Sequence, residues 1–69
     1  MIIRYMIMRS NGDIWNREYK IWAPHEMFKN SIDQITYATE GDARIQQQEH
    51  EKLGVECLVC KTVSFGGDN

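Results

Sequence analysis

Ile2-Ile3-Arg4-Tyr5-Met6-Ile7-Met8, then Ser10-Asn11-Gly12-Asp13, then Ile14-Trp15-Asn16-Arg17-Glu18-Tyr19-Lys20-Ile21-Trp22: two largely apolar runs flank an Asn-Gly pair. Asn-Gly is a strong hairpin signal, because a two-residue type I′ loop needs positive φ at both central residues. With Asn11-Gly12 as that loop, Ser10 faces Asp13, Met8 faces Trp15, Met6 faces Arg17, Arg4 faces Tyr19 and Ile2 faces Ile21. The first strand is apolar on both faces, with Ile2, Met6 and Met8 on one and Ile3, Tyr5 and Ile7 on the other, which predicts a central position. The second run, read as one strand over 14–22, sets Trp15, Tyr19 and Ile21 against Asn16, Glu18 and Lys20. That alternation predicts an outer strand.

Downstream, Pro24 closes the second strand and can open a short helix, with Met27 and Phe28 as apolar cover. Residues 31–38 read two ways. Phe28, Ile32 and Ile35 keep helical spacing, whereas Ile35-Thr36-Tyr37 is β-branched and aromatic; a short strand over 34–38 is the preferred reading. Thr39 is a good N-cap, Glu40 and Asp42 suit the positive end of a helix dipole, and Gly54 suits a C-cap, so a helix is expected over 40–53. Its apolar content is small. Ala43, Gln46, His50 and Leu53 form its docking stripe. Val55–Val63 reads as a strand dense on both faces and is placed beside the first. The expected architecture is α+β: an antiparallel sheet of three or four strands, one main helix on one face and a helical turn near 24–29. Residues 1–65 form one domain and 66–69 a loose tail.

Sixty-nine residues with 42% hydrophobic content suffice for one small core. The formal net charge is −2, but residues 1–29 are net positive and residues 30–69 net negative. An acidic total argues against nucleic acid as the main partner and fits a basic protein surface. No run reaches the roughly 20 apolar residues of a membrane span, and residues 1–8 are too short for a secretory signal. A cytoplasmic location is the resulting expectation.

The candidate chemistry is sparse. Cys57-Leu58-Val59-Cys60 has the spacing of a zinc or redox motif, with His25 and His50 as further ligands. Residues three apart in a strand point to opposite faces, however, so structural thiols are the better reading and no metal or cofactor is expected. His50 lies on the docking stripe with no nucleophile placed near it, and reads as a packing residue. Ser10, Ser31 and Ser64 sit in no nucleophile motif, and neither catalysis nor a small-molecule substrate is expected. Trp15, Tyr19 and Tyr5 with Arg4 and Arg17 could stack bases on a sheet. Trp15, Tyr19, Met6 and Met8 read better as core beneath the helix. The basic hairpin residues Arg4, Arg9, Arg17 and Lys20 keep nucleic-acid binding as the alternative function.

The acidic set Glu40, Asp42, Glu49, Glu51 and Glu56 is either a solvated helix face or a contact surface. One meagre helix cannot cover a sheet that is apolar on both sides. The expectation is therefore an open apolar face lined by Trp22, Ile14, Ile3 and Ile7, covered by a partner or by a second copy. Ile35-Thr36-Tyr37-Ala38-Thr39, followed by Asp42-Ala43, the helix, Gly54 and the closing strand, resembles the strand–helix–strand units of small phage-encoded inhibitors of host machinery. Those include anti-CRISPR proteins and inhibitors of host RNA polymerase. The resemblance spans about half of the chain and transfers no functional residue. It implies steric or charge-mimicking blockade of a host complex, with Glu40, Asp42, Glu49 and Glu51 as the electrostatic contact and Trp22 as the anchor.

Overall fold

The computed structural model describes residues 1–28 and 30–64. Its order is β1 (Ile2–Met8), β2 (Asp13–Asn16), β3 (Ile21–Pro24), a 3-10 turn (His25–Phe28), α1 (Ile32–Ile35), α2 (Glu40–Lys52) and β4 (Leu58–Ser64). The four strands form one antiparallel sheet in the order β3-β2-β1-β4. The α+β class, the central β1 and the pairing of the last strand with β1 all hold. The expected tail at 66–69 lies outside the described residues.

The hairpin register differs from the expected one by a residue. Gly12 N–H donates to Arg9 O at 3.0 Å, Arg9 N–H donates to Asp13 O at 2.9 Å, and Gly12 has φ 94°. Asn11 does not share that left-handed conformation, since Lys20 is the non-glycine residue with positive φ. The loop is a type I turn closed by a glycine bulge, the three-residue alternative to type I′. The extra residue sets Met8 opposite Ile14 rather than Trp15. A slip of one moves every side chain of β2 to the other face. Ile14 therefore joins Met6, and Trp15 joins Ile7.

Residues 14–22 are two strands, not one. Asn16 is fully buried, and its Oδ1 accepts from Glu18 N–H and Tyr19 N–H, each at 2.8 Å. Its carbonyl accepts from Lys20 N–H at 2.7 Å, and Lys20 turns the chain at φ 58°. This side-chain-closed turn folds β3 back so that Trp22 faces Trp15. Asn16, placed by sequence on a solvent face, is the centre of the turn.

The sheet is covered on both sides. One cluster unites Met6, Ile14 and Ala23 with Phe28 and Ile35, which come from the segment between β3 and α2. The other unites Ile7, Ala43 and Cys57 with Tyr5, Trp15, Trp22, Tyr37 and Val59 beneath α2. The expected open face is corrected accordingly: Ile14 and Ile7 are buried in different clusters, Trp22 is half-buried, and Ile3 alone of the four is exposed. Trp15 and Met6 do not share a face. The preferred strand over 34–38 is also corrected, because α1 runs to Ile35. Only Tyr37 joins the sheet, exchanging both backbone hydrogen bonds with Tyr5.

Helix α2 follows its signals closely. Thr39 Oγ1 accepts from Asp42 N–H at 3.1 Å. Val55 N–H to His50 O and Gly54 N–H to Glu51 O, with Gly54 at φ 84°, close its C-terminus in a Schellman motif.

Candidate functional site

The cross-strand pair Trp15 and Trp22 brings its ring centroids to 5.3 Å, and His50 of α2 sits on both, at 4.3 Å from Trp15 and 4.8 Å from Trp22. Arg9, from the first loop, lays its guanidinium 5.6 Å from the Trp22 ring. Trp22 is thus capped from two sides, and Tyr19 at the tip of the β2–β3 turn is the exposed aromatic among the described residues. Burial by the indoles pulls the His50 pKa below its usual 6.5, with Glu49 pulling it back up. A neutral, packed imidazole is the result.

The basic residues of the first half are largely committed to internal contacts. Arg4 Nε donates to Thr36 Oγ1 at 2.6 Å, and Arg17 donates to Thr36 O at 3.0 Å and to Asp33 O at 2.7 Å. Arg17 also lies 5.9 Å from the Tyr37 ring centroid. These guanidiniums hold α1 and the extended residues after it against β1 and the β2–β3 turn. Their planar, multi-donor geometry suits that task. Lys20 is exposed in its turn.

The four helical carboxylates do not form one face. At about 100° per residue, Glu40 and Glu51 lie within about 20° of each other, as do Asp42 and Glu49, and the two pairs stand about 180° apart. Ala43 and His50 are the buried side of α2 between those flanks. Glu40 is paired to Arg44 at 2.6 Å and Glu49 to Lys52 at 3.8 Å, both within the helix. Among the described residues, Asp42, Glu51 and Glu56 have no ion pair.

Glu51 and Glu56 meet at a cleft of about 570 Å³ between the first loop, the end of α2 and the start of β4. Met8, Cys57, Leu58 and Cys60 give it a mainly apolar lining, with Arg9 and Ser10 on the opposite rim. Gln47 Nε2 donates to Cys57 O at 2.8 Å and ties this wall to the helix. The Cys57 thiol is pushed above its usual pKa, first by burial and then by Glu51, with Arg9 opposing. It is held as a thiol rather than the thiolate that nucleophilic or metal chemistry uses. Cys60 belongs to the cluster on the other side of the sheet, and both cysteines are free.

Sequence reasoning named Glu51 and Glu56 in the acidic set and Arg9 in the basic hairpin, but it singled out neither Leu58 nor the cleft that brings them together, which depends on how the Asn11-Gly12 loop meets the end of α2. No helix among the described residues is long and apolar enough to cross a membrane. Comparison with known proteins finds no match among family models, curated proteins or solved structures.

Proposed function

We propose that this chain is a non-enzymatic protein-binding module that receives a basic, apolar-bearing segment of a partner protein at the Glu51–Glu56 cleft. The observation supporting this reading is a concave, mostly apolar surface edged by two carboxylates that form no ion pair among the described residues. Carboxylates at a rim steer and orient a basic partner, while an apolar floor supplies most of the affinity. Leu58, which is largely exposed at this cleft, fits the second task. Trp22 contributes from beneath by supporting Arg9, and Glu40, Asp42 and Glu49 contribute to the general negative field. A viral inhibitor that occludes the basic groove of a host nucleic-acid-processing complex is the specific form suggested by the resemblance to phage inhibitors, and that form rests on the resemblance alone.

The test is affinity capture from bacterial lysate with three baits: the native chain, Glu51→Lys/Glu56→Lys, and Asp42→Lys/Glu49→Lys. A stoichiometric protein partner retained by the first and third baits and lost by the second is expected, with affinity reduced by at least about tenfold. Equal retention by all three would remove the cleft from the proposal. Recovery of nucleic acid that elutes steeply with salt would replace it with the basic-hairpin reading.

A further inference from the structure

The outer edge of β4 over Leu58–Val63 is the most regular strand edge without a neighbouring strand among the described residues. β4 is paired with β1 along all seven of its residues, from Met8–Leu58 to Ile2–Ser64, and it ends the sheet. It contains no proline, glycine or bulge to blunt that edge, and Lys61 is its one charge. Leu58 and Val63 are exposed along it. Such an edge is a template for another strand.

The hydrogen-bonding phase of the edge follows from a bond on the far side of β1. Tyr5 exchanges both of its backbone bonds with Tyr37, so its N–H and C=O point away from β4. Tyr5 faces Lys61, which makes that pair non-hydrogen-bonded. Lys61, and with it Val59 two residues away, therefore turn their N–H and C=O outward.

We infer that two copies of this chain associate by antiparallel pairing of their β4 edges, with Cys60 opposite Cys60 of the second copy at the two-fold axis. A two-fold axis normal to the sheet places a residue opposite its own counterpart. Centring on Lys61 would set two ammonium groups directly against each other, which is unfavourable across strands. Centring on Cys60 instead makes Val59 exchange both backbone bonds with the second copy's Lys61, and the reverse, so each lysine stem lies over a valine. Leu58 then gains Thr62 of the second copy as its cross-strand neighbour. Cys60 falls at a non-hydrogen-bonded pair, where Cα atoms approach to about 4.5 Å. That separation is within disulfide range.

The pairing yields a continuous eight-stranded sheet. Because the axis is normal to it, both α2 helices lie on the same face. Leu58 and Cys60 line the Glu51–Glu56 cleft as well as the paired edge, so pairing and partner binding draw on the same wall of the molecule. This consequence rests on the proposed function, and the pairing itself does not.

Sedimentation equilibrium of the reduced full chain reads the pairing directly, and a concentration-dependent approach to twice the monomer mass is expected. A monomer at every concentration up to about 1 mM overturns the inference, since even a weak interface associates there. The register is read separately with Cys57→Ala, which keeps Cys60, and Cys60→Ser, which keeps Cys57. Mild oxidation with diamide joins two thiols as a disulfide while the reagent takes up the two hydrogens. The first variant is expected to give covalent dimer within minutes and the second to give none; a dimer formed only through Cys57 overturns the register. Lys61→Pro removes an outward donor without touching the β1 ladder and is expected to lower the dimer population. Should that variant not fold, the mass and crosslinking results decide alone. Loss of pairing with partner capture intact would leave the proposed function standing, and the converse would leave the pairing standing.

Discussion

The two sides of this sheet are held by different chemistry. On one, Met6, Ile14, Ala23, Phe28 and Ile35 form an aliphatic-rich cluster capped by single turns of helix. On the other, a thirteen-residue helix touches the sheet through little more than Ala43 and His50 and rests on Trp15, Trp22 and Tyr37. The longer element has the poorer apolar stripe, and the short turns carry the better one. Small apolar groups pack by shape and tolerate little loss of volume. Large amphipathic rings bury area while bringing polar atoms with them. The first side should therefore dominate stability, and the second should respond to pH and to polar substitution.

The largest effect is expected on the aliphatic side. Ile35→Ala truncates a fully buried side chain in α1, a change that costs about 3 kcal/mol when the surroundings cannot collapse. Urea unfolding of this variant beside Ala43→Gly, which alters the helix at its own contact, measures the asymmetry. A loss under about 1 kcal/mol at Ile35 would show that the short turns only decorate the sheet.

Asn16 ties the β2–β3 turn to α1, and Asn16→Ala tests that tie. The variant leaves Glu18 N–H and Tyr19 N–H without the Oδ1 acceptor and removes the Nδ2 bond to Gln34. A loss of about 2 kcal/mol is expected, because donors left unpaired carry their full desolvation penalty. Asn16→Asp keeps the acceptor and should restore part of that loss.

The asymmetry also explains what could be read from the residues. Local signals with one physical meaning carried through: Thr39 capping Asp42, Gly54 in the left-handed region, and the two-sided apolar run of β1 all sit where their chemistry places them. Two local signals had competing meanings. Asn11-Gly12 serves a type I turn with a bulge as well as it serves type I′, and only the packing of Ile14 against Phe28 and Ile35 selects the former. Ile35-Thr36-Tyr37 suits a strand until Arg4 and Arg17 bond the Thr36 backbone and hold the segment aside. The cleft was hidden for a related reason, since its walls come from three elements whose meeting no spacing encodes. The acidic residues stand out in composition, but only helical geometry divides them into two flanks.

A smaller effect is expected from pH. The His50 pKa is lowered in the folded chain, so the unfolded chain binds the proton first as pH falls through the usual 6.5. Stability is full above that value and declines as pH drops towards the folded pKa, below which both states are charged and the decline ceases. His50→Gln should flatten this dependence over the same window. A native chain whose urea midpoint is level between pH 7.5 and pH 5.5 would mean that the imidazole is not packed between the indoles.

Tyr37→Phe is expected to have the smallest effect, and its sign separates the two sides most finely. The Tyr37 hydroxyl and Trp15 Nε1 are both buried without a hydrogen-bond partner among the described residues. Burial raises the phenol pKa, while the Arg17 charge and the nearby indole N–H lower it. Removing the hydroxyl deletes a desolvated polar atom and leaves the ring beside Arg17, so the change in stability should lie within about 0.5 kcal/mol of zero. A loss above about 1.5 kcal/mol would reveal an indole–phenol hydrogen bond formed in solution. The aromatic side would then be held by directed polar contacts as well as by buried area. A neutral result would leave area and ring stacking as its sources of stability.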